Sequence, residues 1–168
     1  MDKQKKFVIA VYVENKAGVL TRVSAMFTRR GFNIDSLTVG ETEHPEYSRM
    51  TITMRGDDNL KDQLINQLKK LVVVKKVQVL EEDSIKRELM LIKVENDAKN
   101  RNDIMMAVEV FRANVIDYCP EDICIELTGG SSKIEAFIKL MEPFGILEMC
   151  RTGVVALDRG GKTLFVEE

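Results

Sequence analysis

Histidine is almost missing from this sequence. His44 is the only one, so there is no His pair for a metal and no Ser-His-Asp set for acyl transfer. It precedes Pro45 in a Glu-rich stretch and is expected to sit in an exposed loop. Cysteine is scarce as well. Cys119, Cys124 and Cys150 are odd in number and lie outside any C-x-x-C spacing, which excludes a disulfide frame or a zinc knuckle and leaves reduced, buried thiols. No apolar run approaches the ~20 residues of a membrane span. Behind the basic start (Lys3, Lys5, Lys6) only Phe7 to Val13 is apolar, too short a core for a signal peptide. A cytoplasmic location is expected, with no membrane partner. An excess of one charge is also lacking: 25 basic residues face 27 acidic ones, a net charge of -2, which argues against a nucleic-acid partner.

Phosphate loops are absent too. Gly129-Gly130 follows a strand pattern and precedes a helical one, but neither G-x-x-x-x-G-K-[ST] nor G-x-G-x-x-G occurs. That pair, like Gly160-Gly161, reads as a turn. The carboxylates fall on predicted helix faces and in turns, where solvation is the default. No catalytic residue and no metal ligand is expected, and the chain reads as a binding or regulatory module.

What is present is a packed core in one domain or two small ones. Hydrophobic residues make up 45% of the 168 and charged ones 31%. Residues 7–14 read as a strand. Residues 18–30 read as a helix, with Val19, Leu20, Val23, Met26 and Phe27 on one face and Gly31 placed to end it. A second strand is expected from Asn33 to Thr42. In the third, Met50, Ile52 and Met54 alternate with Arg49, Thr51 and Thr53, which predicts a sheet with one face on a core and the other left available. Asp57-Asp58-Asn59 caps a second helix carrying Leu60, Leu64, Ile65 and Leu68. Residues 71–80 supply a fourth strand. The order βαββαβ is the ferredoxin-like arrangement.

After a polar break at Glu81-Glu82-Asp83-Ser84 the order starts again. A strand at 87–95 leads to a helix with Ile104, Ala107, Val108 and Phe111. Strands at 114–118 and 122–128 follow, then a helix with Ile134, Phe137, Ile138 and Met141, and a strand at 146–152. The segment Gly153 to Leu157 is expected to extend or pair with that last strand. The fold class is therefore α+β, with two tandem ferredoxin-like βαββαβ units built on antiparallel sheets with helices on one face. The expected divisions are 1–80, a linker at 81–86, and 87–168. Such small units bury a modest core and expose sheet edges, so pairing into a homodimer is expected.

The turn between the first strand and helix holds the chemistry. Asn15 and Gly18 flank a helix start whose orphan N–H groups and dipole favour a small carboxylate, while an amide oxygen can hold an ammonium. The parts suit a free amino acid.

The segment Glu14-Asn15-Lys16-Ala17-Gly18-Val19-Leu20-Thr21-Arg22-Val23 resembles the ACT domain, a common amino-acid sensor. Three further features narrow the resemblance to the small, regulatory subunits of acetohydroxyacid synthase (acetolactate synthase). These are Phe27-Thr28-Arg29-Arg30-Gly31-Phe32-Asn33-Ile34, Ser48-Arg49-Met50-Thr51-Ile52, and a second half that includes Arg87 to Val94, Phe111 to Asp117 and Arg151 to Leu157. The resemblance implies an N-terminal ACT domain and a C-terminal ACT-like domain. It implies no cofactor on this chain but a large catalytic subunit that carries thiamine diphosphate, magnesium and FAD. It also implies activation of that subunit and feedback inhibition by valine or another branched-chain amino acid. The effector site carried over from the family is Asn15, Gly18, Val19 and Leu20, with Asn33 and Ile34 facing it across paired ACT domains. Lys16-Ala17 occupies a part of the turn that varies in the family. The alternatives are a free-standing ACT-type amino-acid sensor, for which no output domain is evident, and a ferredoxin-like enzyme, for which the catalytic set is missing.

Overall fold

The computed structural model describes residues 5–164. Lys3 and the rest of the residues before Lys5 lie outside them. The chain forms two compact units. Among the described residues the first comprises 5–85 and 154–164; the second is Lys86–Gly153.

In the first unit the order is β1 (Lys5–Glu14), α1 (Val19–Arg30), β2 (Ser36–Glu41), β3 (Tyr47–Gly56), α2 (Asp58–Leu68) and β4 (Val74–Val79). The sheet order is β2-β3-β1-β4, all antiparallel. Met50, Ile52 and Met54 pack with Val23, Phe27, Leu64 and Leu68 under the helices, as their alternation predicts. Gly31, at φ 67, ends α1 in the left-handed conformation, and Asp57 caps α2 through the Leu60 N–H at 2.7 Å.

The expectation of an available second sheet face is corrected. β1 is buried without alternation from Val8 to Val13, because residues 154–164 return as a strap over the helix-free face. Val154, Ala156 and Leu164 cluster there with Val8, Ala10, Tyr12 and Leu80. Thr38 donates to the Val154 carbonyl at 3.2 Å, and Arg49 donates to that of Ala156 at 2.8 Å. Thr51 and Thr53 are buried for the same reason. Residues 154–157 therefore do not extend the preceding strand; Val155–Leu157 is β9. The expected 87–168 domain loses its end to the first unit. The expected linker is also not free: Arg159 donates to the Asp83 carbonyl at 2.6 Å, Asp158 accepts the Glu81 N–H at 3.2 Å, and Ser84 is buried.

The second unit repeats the order with β5 (Ile85–Glu95), α3 (Arg101–Val110), β6 (Asn114–Tyr118), β7 (Asp122–Gly129), α4 (Ser131–Met141) and β8 (Ile146–Arg151). Its strands run β6-β7-β5-β8 over a core of Met90, Ile92, Val94, Ile123, Ile125, Leu127, Ile134 and Phe137. Not every carboxylate is solvated. Glu88 is 4% exposed; it accepts from Arg151 through Nε at 3.1 Å and a terminal nitrogen at 2.7 Å, and from the Ser131 hydroxyl. Gly129-Gly130 thus leads into a helix start whose nearby anion is the chain's own Glu88.

Three smaller expectations change. Cys150 is exposed and Cys119 and Cys124 are half-buried, so the free thiols are not core groups. His44 is half-buried, with its backbone N–H donating to the Thr42 hydroxyl at 3.2 Å. Just past the end of α3, Arg112 has φ 52, the one non-glycine residue at positive φ among the described residues. Where α1 uses Gly31, α3 therefore holds an exposed arginine in a conformation that costs about 1 kcal/mol. Arg112→Gly is expected to raise stability by about 0.5–1 kcal/mol, read as a higher urea midpoint with an unchanged slope. Among the described residues no helix is long and apolar enough to cross a membrane.

Candidate functional site

The turn after β1 is fixed from both sides. The Glu14 N–H bonds the Val73 carbonyl at 2.9 Å and the Asn15 N–H bonds that of Glu46 at 2.8 Å. The Asn15 side-chain amide donates to the Pro45 carbonyl at 2.8 Å and to Glu41 at 3.1 Å. Both donors are thereby spent, and the amide oxygen has no donor among the described residues. Lys16 is drawn aside by Glu14 at 3.1 Å. Hydrogen bonds from Lys75 and then Lys16 hold the Glu14 carboxyl below its usual range.

Gly18 makes the turn at φ 81, and no side chain caps α1. The Val19 N–H reaches the Lys16 carbonyl at 3.3 Å. The next first-turn donors, Leu20 and Thr21, have no intrahelical acceptor. No acidic residue occupies the first turn to offset the helix dipole. The Val19 side chain enters the core while that of Leu20 is 46% exposed beside the turn. Asn15, Gly18, Val19 and Leu20 thus lie along one turn, with an acceptor suited to a cation at Asn15 and first-turn donors suited to an anion at Leu20 and Thr21.

Asn33 and Ile34 are not part of that cluster within one chain. They precede β2, which starts at Ser36 and not at Asn33. Asn33 is exposed and Ile34 leans on the core. Ser36 pairs with Thr53, which also faces Val8, whereas Asn15 follows the far end of β1. The seven steps from residue 8 to residue 15 span roughly 23 Å of strand. The two halves of the expected site lie at opposite ends of the sheet.

The second unit carries the same turn in a closed form. Glu95-Asn96-Asp97-Ala98 repeats Glu14-Asn15-Lys16-Ala17. The Glu95 and Asn96 N–H groups bond the Gly145 and Glu121 carbonyls at 3.0 and 2.9 Å, and the Asn96 amide donates to the Cys119 carbonyl at 2.5 Å. Here the amide oxygen accepts Arg101 Nε at 2.8 Å, and that guanidinium lies 5.9 Å from the centre of the Tyr118 ring. Asp97 takes the Lys99 N–H at 3.0 Å. The chain's own cation takes at Asn96 the acceptor position that stays open at Asn15. Sequence reading missed Arg101; the repeated Glu-Asn-x-Ala was the signal that would have found it.

Asp117, Cys119 and Asp122 place three possible metal-ligand atoms within 4.8 Å of one another. The Asp117 charge pushes the Cys119 thiol up, and the thiol donates to Asp117 at 3.7 Å. The cluster is an internally bonded turn that favours the protonated thiol over a thiolate ligand.

Residues 9–76 match the family profile described as an AHAS small subunit-like ACT domain, and residues 87–160 match that of the small subunit of acetolactate synthase. The chain is 50% identical over 157 residues to the acetolactate synthase small subunit of Mycobacterium bovis, covering 93% of this chain and 94% of that protein. It is 49% identical over 153 residues to that of Mycolicibacterium smegmatis, covering 90% of each. The crystal structure of the acetolactate synthase small subunit from Thermotoga maritima superposes with a TM-score of 0.88 at 42% identity, covering 94% of this chain and 99% of that one.

Proposed function

Since this chain belongs to the acetolactate synthase small-subunit family, we propose that it regulates a large catalytic subunit in the cytoplasm and conveys feedback from a branched-chain amino acid, with valine the first candidate. The observation that carries this reading is the open turn. The Asn15 oxygen faces the ligand's ammonium, and the free N–H groups at the start of α1 face its carboxylate. The thiamine diphosphate, magnesium and FAD belong to the large subunit, and the chemistry stays there.

The separation of Asn33 from Asn15 supports a site completed by a second copy. β2 is an edge strand with Val39 exposed. Antiparallel pairing of β2 with the same strand of a second copy reverses direction, bringing the partner's Asn33 and the partner's Ile34 toward the Asn15 end. Ile34 then supplies apolar contact for a branched side chain. An effector held between two copies favours the dimer geometry in which both halves close on it, and only that difference in affinity drives regulation. A coupling of about 1–3 kcal/mol gives roughly 5–150-fold inhibition.

The test is calorimetry with valine, leucine and isoleucine, with and without the large subunit, beside an assay of acetolactate formation. Asn15→Ala is expected to weaken effector binding by about 1–3 kcal/mol, because the ligand ammonium loses its acceptor. Unchanged affinity in Asn15→Ala would move the site elsewhere. Failure of a large subunit to co-purify would favour the free-standing sensor.

A further inference from the structure

Glu41 ends β2 beside the turn, and it is a carboxylate without a cation. Its Oε1 accepts the Asn15 amide at 3.1 Å, a neutral donor that leaves the negative charge in place. Lys16 and Lys75 both pair with Glu14 instead, at 3.1 and 2.6 Å. Among the described residues no cation pairs with Glu41, and the residue is exposed. The Asn15 amide itself is fixed. Its nitrogen faces the Pro45 carbonyl and Glu41, and a flip sets oxygen against oxygen at both. Its own oxygen therefore lies on the same amide as the group that holds Glu41.

The second unit shows where a cation on such an amide oxygen goes. Glu41 pairs with Ser48, next to Tyr47, which lies opposite Glu14. Tyr118 pairs with Ile123, next to Asp122, which lies opposite Glu95. Tyr118 thus holds in that unit the place that Glu41 holds in the first. The Arg101 guanidinium sits on the Asn96 oxygen at 2.8 Å and 5.9 Å from the centre of the Tyr118 ring. A cation on the Asn15 oxygen is accordingly set beside position 41, where a carboxylate stands instead of a ring.

We infer that Glu41 is the counter-ion of the effector's ammonium, and that it selects α-amino acids over acids of the same carbon skeleton that lack the ammonium. This inference rests on the reading of the Asn15–Gly18 turn as the effector site. The N–H groups at the start of α1 accept the carboxylate of either kind of acid. Glu41 attracts the one that also carries a positive charge and repels the one that is only negative. Bonds to charged groups are about twice as strong as neutral ones, and repulsion of the wrong ligand adds to the discrimination.

The test titrates the full chain calorimetrically with valine and with 3-methylbutanoate, which is valine without its ammonium. The wild type is expected to bind valine roughly tenfold or more tightly than 3-methylbutanoate. Glu41→Gln keeps an acceptor for the Asn15 amide and is expected to weaken valine about tenfold, while 3-methylbutanoate binds as well or better. Glu41→Lys is expected to weaken valine further and to strengthen 3-methylbutanoate. Opposite shifts for the two ligands are what a merely structural role for Glu41 does not give. Asn15→Ala and Gly18→Asp report on the turn itself. If these two weaken valine and neither Glu41 variant does, the turn is the site and the counter-ion inference is overturned. If 3-methylbutanoate gains nothing from Glu41→Lys, or both ligands weaken together, Glu41 only shapes the turn and the inference is overturned as well. If valine does not bind, or binds with an affinity indifferent to all four substitutions, the reading of the turn falls and takes the inference with it.

Discussion

Gly18→Asp is expected to abolish effector inhibition of the reconstituted holoenzyme while leaving subunit association intact. A Cβ at Gly18 meets nothing within 4 Å, so the substitution does not disturb packing. The backbone there is left-handed, which aspartate tolerates better than most residues, at a cost of about 1 kcal/mol. The buried face of α1, with Val19, Val23, Met26 and Phe27, is untouched. What changes is the ground in front of the free N–H groups: a fixed negative charge now occupies the approach of the ligand carboxylate. Like charges in such contact cost several kcal/mol, about two to three orders of magnitude in affinity. Gly18→Asn is the control. It carries the same shape and the same backbone demand without the charge, and is expected to retain most of the response. If Gly18→Asp is inhibited at the wild-type effector concentration, the helix start does not hold the carboxylate.

The largest expected loss of stability is at Glu88. Its carboxylate binds two nitrogens of Arg151 and the Ser131 hydroxyl in a nearly sealed position. Glu88→Ala leaves Arg151 with only Glu135, at 2.7 Å on the wetter side, and empties the anionic position beside the start of α4. Breaking a buried pair by removing one partner costs about 3–5 kcal/mol. Arg151 keeps 29% of its side chain exposed, which lets water recover part of that, so about 2–4 kcal/mol is expected. Hydrogen exchange resolved along the chain is the measurement, with amides of β5, β8 and α4 losing protection before those of β1 and β3. Glu88→Gln keeps an acceptor for Ser131 but removes the charge, and is expected to fall between the two. Uniform protection in Glu88→Ala would mean that the pair adds nothing beyond its desolvation cost.

Both βαββαβ units were legible because each element announced itself locally. Met50, Ile52 and Met54 alternate along β3, Ile104, Ala107, Val108 and Phe111 repeat at helical spacing, and Asp57 and Gly31 mark helix ends. The Asn15–Gly18 turn was legible for the same reason. The strap was not. The strap has few regular contacts: Val154 bonds Ser36 and Thr38, and Ala156 bonds Arg49, all more than a hundred positions away, so nothing in Val154 to Leu164 says which surface it covers. Glu88 was legible in principle, since it continues the inward series Met90, Ile92 and Val94 by one step of two; the general rule that carboxylates face water hid it. The distance between Asn33 and Asn15 follows from strand direction, which composition does not reveal.

The returning strap also sets an order of synthesis. Domains generally fold as the ribosome releases them, earlier segments first. Residues 154–164 leave the ribosome only after all of Lys86–Gly153, a continuous stretch that can close by itself. Until then the face bearing Val8, Ala10 and Tyr12 stays wet and sticky. The half that begins the chain is therefore the half that matures later, and a nascent polypeptide stalled before Val154 presents an unfinished sheet to chaperones.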